Sequence, residues 1–217
     1  MRYINRLSKP AILEEKEQEW TANFLASNEK RPDSSKYGNP KIKSLLFTMS
    51  HNKCYYCEQQ LKGVPSEIDH FVEVAEPTIG RNLAYNWENL YLACHNCNGK
   101  VPNRDISVTS VLNPCIDSDE EIMQHLTFED EEIIAKNNSE KGLKTIMKYK
   151  LSSESLDAIR GKFLKQFHKK LVELLAVRIE ENRKLNVEET KSLLRFSEPN
   201  FPFSLMFKIQ LKKYNFL

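Results

Sequence analysis

Two Cys-x-x-Cys pairs, Cys54/Cys57 and Cys94/Cys97, frame the most reactive stretch of this chain. Two residues between paired cysteines let one tight turn present both sulfurs, and two such turns build a tetrahedron around zinc. With cysteine at all four positions, no coordination site is left for water, so zinc held here is structural. In small motifs such an ion supplies about 10–16 kcal/mol of apparent binding free energy, enough to hold a short segment with little core of its own. The 36 residues between the pairs exceed the gap of a compact zinc ribbon, which predicts an insertion between the two turns. Cys115 is left over and reads as a small buried thiol with no chemical task.

Asp69 and His70 lie inside that insertion. A carboxylate is an oxygen ligand for a hard cation such as Mg²⁺. An imidazole with an ordinary pKa near 6.5 takes a proton from water at neutral pH. Taken alone, an Asp-His dipeptide fits a structural role as well as a catalytic one. Adjacent residues of an extended chain also point to opposite faces, so a strand end or bend is needed before both can serve one site.

The order Cys-x-x-Cys, Asp-His, Asn, Cys-x-x-Cys-Asn is carried here by Cys54, Cys57, Asp69, His70, Asn89, Cys94, Cys97 and Asn98. It resembles the zinc-bearing HNH endonucleases. The resemblance implies a ββα-metal finger and cleavage of a phosphodiester bond in nucleic acid, DNA or RNA. His70 would be the general base, and Asp69 with Asn98 would hold a catalytic Mg²⁺ or Mn²⁺. Asn89 would tie down the loop between the strands and orient the histidine. An amide oxygen at Asn98 suits a hard cation better than it suits zinc. Asn86 and His95 compete for these positions if the register is displaced. Lys100 is the expected phosphate contact, and Glu67 is either a supporting carboxylate or an exposed strand residue. The flanks, from Met-Arg-Tyr-Ile-Asn-Arg to Phe-Pro-Phe-Ser-Leu-Met-Phe, resemble the PtuB family of Septu and retron-linked antiphage systems. That implies a bacterial defence effector working beside a PtuA-like ATPase protein. The competing reading is a zinc-stapled nucleic-acid-binding module without catalysis.

The elements that must position these residues follow from apolar periodicity. Ala11–Ala26 reads as a helix, with Ile12, Leu13, Trp20, Phe24 and Leu25 as its apolar contacts, and residues 29–40 as a polar connector. Lys41–Ser50 is a second helix, burying Ile42, Leu45, Leu46 and Met49. Glu67–Val74 and Leu90–Ala93 read as strands, and a helix starts near His95. Val108–Leu112 is a further expected strand. The acidic stretch after it reads as a solvated loop with a short strand pair. From Ser153 a helix capped by Ser-Ser-Glu-Ser is expected to run to about Leu185, with a second over Val187–Phe196. Its apolar positions run from Leu156 to Ile179. The aromatic tail is expected to be buried.

The fold class is therefore α+β and mainly α. A zinc-stapled ββα-metal core (51–115) follows an N-terminal helical segment (1–50) and precedes an acidic connecting region (116–150) and a helical C-terminal region (151–217). The 217 residues, 40% hydrophobic and 29% charged, suffice for a substantial core. A net charge of +2 is too small for a general polycation, so nucleic acid must be attracted by a local basic surface. No apolar run is long enough to span a membrane. The opening residues lack the apolar core of a signal peptide, and a cytoplasmic protein is expected.

Overall fold

A computed structural model describes residues 1–217. Three helices lead in: α1 (Ala11–Ala26), the single turn α2 (Ser34–Tyr37) and α3 (Pro40–Met49). Strands β1 (Ser66–His70) and β2 (Leu90–Cys94) pair antiparallel, with His70 opposite Leu90 and Ser66 opposite Cys94. The short helix α4 (His95–Asn98) follows directly. A second antiparallel pair, β3 (Leu126–Glu129) and β4 (Glu132–Ala135), lies between α5 (Asp119–His125) and α6 (Glu140–Tyr149). Helices α7 (Glu154–Glu180), α8 (Val187–Leu194) and α9 (Ser204–Lys213) complete the chain. The mainly helical α+β architecture and the ββα finger match the expectation.

Local chemistry sets most boundaries. Asn39 caps α3 through Lys41 N, with Pro40 pre-set for the first turn. Ser118 caps α5 through Glu121 N, and the acidic first turn of that helix faces the positive end of its dipole. Asn186 and Glu189 form a reciprocal capping box on α8.

One apolar core runs through the whole chain. It joins Leu13 of α1, Ile42 and Leu46 of α3, every residue of β2, Ile122 and Leu126, and Leu164, Phe167 and Leu171 of α7. The tail is buried as expected. Leu205, Met206, Phe207 and Leu211 of α9 are all enclosed, each such side chain contributing about 1.5–3 kcal/mol.

Several expectations are corrected. Val108–Leu112 is not a strand: Val108–Ser110 is a 3₁₀ turn, because Asn103 accepts from Val108 N and Ser107 from Thr109 N. The acidic stretch keeps its strand pair but is no solvated loop, since Ile122, Met123, Phe128, Ile133, Ile146 and Tyr149 all enter the core. The long helix stops at Glu180, its cap residue Ser153 makes no capping bond, and Ile179 is 78% exposed. Leu25 of α1 also faces solvent.

Candidate active site

The four cysteines of the two pairs come together and are all buried. The first turn is closed by Glu58 N donating to Cys54 O and Cys54 N to Gln59 O. The second pair sits where β2 passes into α4. All four sulfurs lie within 4.8 Å of one another, and Cys57 Sγ is 3.8 Å from Cys94 Sγ. Four Zn–S bonds of about 2.3 Å at tetrahedral angles place sulfurs about 3.8 Å apart, so the donor set fits zinc. A disulfide, near 2.05 Å, does not fit that separation. Glu58, next after Cys57, has φ of 64°. Its buried carboxylate accepts from Ser204 Oγ at 2.7 Å and Lys53 Nζ at 3.4 Å, bolting this turn to α9.

β1 sends its two reactive residues into different surroundings. Asp69 is 6% exposed and accepts from Tyr56 Oη at 2.7 Å. Tyr56 stacks on Tyr149 with ring centres 4.0 Å apart, so an aromatic layer backs the carboxylate. Lys100 Nζ lies 2.7 and 2.9 Å from the two Asp69 oxygens, and also donates to the carbonyls of His70 and Phe71. Its side chain is 4% exposed. Lys100, expected at the phosphate, thus has its ammonium turned inward, where oxygens already satisfy it.

His70 ends the strand, where the chain bends. Its Nε2 donates to Ala84 O at 2.8 Å, since a carbonyl can only accept, and this leaves the lone pair on Nδ1. The Tyr37 ring meets the imidazole edge-on, 4.9 Å between centres. Burial pulls the His70 pKa below its ordinary value. The Ala84 carbonyl and Asp69 oppose that shift, and Lys100 adds to it. The ring is therefore neutral at neutral pH.

Asn89 is buried just before β2. Its Oδ1 accepts from Val72 N at 2.7 Å, and its Nδ2 donates to Val72 O and Leu83 O at 3.0 and 3.1 Å. It joins the chain leaving His70 to the turn whose next residue, Ala84, receives the histidine. Gly80 lets this insertion fold back tightly, for a Cβ there would sit 2.3 Å from Glu73 O. Asn98 projects from α4 and donates to Glu67, whose other oxygen is 3.1 Å from His95 Nδ1. Asn86 is occupied elsewhere, capping the turn at Trp87 and donating to Glu17.

Asp69, His70 and Asn98 line one open cleft of about 450 Å³, together with Glu67. Both Asp69 and His70 line it, so the bend after β1 brings the adjacent pair to one space. A carboxylate and an amide oxygen are hard donors of the kind Mg²⁺ or Mn²⁺ takes, and both Asp69 oxygens are here engaged by Lys100 and Tyr56. The lining from outside the finger was not legible as such. It is Arg31, Ser34, Tyr37, Gly38 and Lys43, largely from the stretch read as a connector. Its only signal was a tyrosine among basic residues in an otherwise polar run.

Residues 54–104, which carry the two cysteine pairs, the Asp-His strand end and Asn98, match the family model described as HNH endonuclease. The chain is similar to Septu protein PtuB of Bacillus thuringiensis, 34% identical over 120 residues, covering 54% of this chain and 44% of that protein. It is also similar to Septu protein PtuB of Bacillus mycoides (strain KBAB4), 30% identical over 195 residues, covering 75% of this chain and 61% of the relative. The chain thus spans about half to three-fifths of the length of these curated relatives. No helix is long and apolar enough to cross a membrane.

Proposed function

We propose that this protein is a metal-dependent HNH endonuclease that hydrolyses phosphodiester bonds of nucleic acid, with His70 as general base. We further propose that it is the nuclease effector of an antiphage system and acts beside a PtuA-like ATPase. The observation that carries the reading is the half-buried His70 imidazole, tied through Nε2 to Ala84 O, in the cleft that Asp69 and Asn98 also line. With Nε2–H committed to Ala84, Nδ1 is the nitrogen that takes the proton of an attacking water. Asn89 holds the loop and turn on either side of that bond, and so acts as a positioning residue. Asp69 and Asn98 would hold Mg²⁺ or Mn²⁺, which when bound supplies positive charge to the phosphate oxygens. The four cysteines would hold structural zinc. The names of the PtuB relatives support the defence role.

His70→Ala tests the assignment. Cleavage of labelled DNA or RNA in Mg²⁺ should fall by about 10²–10⁴-fold, the usual share of a general base. Zinc content, folding and nucleic-acid binding should persist. Full activity in the variant sinks the assignment, and a wild-type protein that binds but never cuts supports the binding-module reading instead.

A further inference from the structure

The cleft is lined by groups of opposite charge: Glu67 and Asp69 of β1, Arg31 from the segment before α2, and Lys43 of α3. The two cations differ from the other basic groups around the site. Lys100 and Lys148 are buried and saturated, Lys148 donating to the carbonyls of Val101 and Ile106. Arg31 makes no hydrogen bond or ion pair, and the only polar contact of Lys43 is a long 3.5 Å approach to Ser66 O. Both are free to take an anion.

Arg31 is also held in place. Arg81 donates to the carbonyls of Phe24, Ser27 and Glu29, fixing the chain just before Arg31. The Tyr85 hydroxyl accepts from Asp33 N at 3.0 Å, fixing the chain just after it. Between Arg81 and Tyr85 lies Ala84, the partner of His70. One short insertion therefore anchors both the proposed base and the chain on either side of Arg31.

We propose that Arg31 and Lys43 are the phosphate-binding residues of this site, receiving the backbone of the nucleic-acid strand in the cleft that His70 lines. This rests on the nuclease reading and extends it to residues outside the HNH match. A phosphodiester is attracted by these two cations, whereas the Asp69 carboxylate is already paired with Lys100. The guanidinium adds a planar fork that suits two phosphate oxygens at once. Tyr37 lies between the two cations in sequence and against His70 in space.

The test measures binding in a His70→Ala background, where no strand is cut. Fluorescein-labelled DNA and RNA oligonucleotides of one sequence are titrated by anisotropy over a series of salt concentrations. Adding Arg31→Ala and Lys43→Ala should weaken binding and reduce the slope of log K against log salt by about 1.4–1.8, the release expected for two phosphate contacts. Arg31→Lys should restore most of the slope and not all of the affinity. Lys212→Ala with Lys213→Ala, two exposed charges on α9, should leave the slope unchanged. If the double alanine variant loses its far-ultraviolet circular dichroism, Arg31→Gln and Lys43→Gln are read singly, each lowering the slope by about half as much. An unchanged slope in the folded variants overturns the proposal, as does an equal loss on neutralising α9, or no binding of either polymer. Wild-type protein that binds through these residues but does not cleave leaves this proposal standing and removes the nuclease reading. Cleavage with no dependence on Arg31 or Lys43 does the reverse. The polymer that shows the slope change identifies the substrate.

Discussion

The cysteine cage and the cleft lie on the same small finger, and they solve opposite problems. The cage is closed, with four buried sulfurs matched to one tetrahedral ion and no place for water. The cleft is open, and its polar atoms are shared among neighbours: the Asp69 oxygens accept from Lys100 and Tyr56, and the Asn98 amide nitrogen donates to Glu67. A saturated site holds a fold together, because nothing is left over to react. A partly committed site is left able to react, because a lone pair on His70 and the unpaired Arg31 remain. The comparison teaches that the finger separates stability from reactivity by coordination, although the two centres are joined by one strand.

The comparison breaks most severely at the cage. Cys97→Ser should lose zinc and unfold the finger, since the roughly 10–16 kcal/mol carried by such an ion exceeds most of a domain's net stability of about 5–15 kcal/mol. Zinc content and circular dichroism check it, and a folded, zinc-bound variant refutes the structural role. Lys100→Met addresses the cleft. It strands a buried carboxylate without its cation, and should cost about 3–5 kcal/mol in a denaturant titration. It should leave the salt slope of nucleic-acid binding unchanged, in contrast to Arg31→Ala. A fallen slope would return Lys100 to the phosphate.

The smallest effect separates acid loss in the finger from acid loss elsewhere. Burial alone would raise the pKa of Asp119, but hydrogen bonds from Arg2, Tyr3 N and Lys208 outweigh it and hold it below the ordinary carboxylate value. With a lowered folded pKa, its contribution is complete above the unfolded value near 3.9 and is lost as pH falls through the folded one. Asp119→Asn should therefore be less stable by about 1–2 kcal/mol at pH 7 and should show a shallower decline below about pH 4. An acid profile identical to wild type contradicts this.

Much of the finger was legible because its chemistry is written in spacing. Two residues between cysteines make a turn that brings both sulfurs to one ion, and that requirement is local. The helices α1, α3 and α8 were legible from local pattern too, through their apolar positions. What escaped depends on distant partners. Whether Lys100 faces a phosphate or a carboxylate is decided by the bend after β1, which brings two carbonyls to its ammonium. Arg31 and Tyr37 looked like parts of a connector because their anchors, Arg81 and Tyr85, lie some fifty residues further on. The acidic region looked solvated because its charges are more conspicuous than Ile122, Phe128 and Tyr149. Ser153 had the right type for a cap, but the type alone does not make the bond.

The brace between Glu58 and Ser204 sets an order of events in the cell. The two residues are 146 positions apart, so at about 5–20 residues per second the ribosome makes the knuckle roughly 7–30 s before its partner. During that interval the Glu58 carboxylate lacks the hydroxyl it meets in the finished protein, and the aromatic tail that packs beneath it has not been made. The finger is thus synthesised first and braced last.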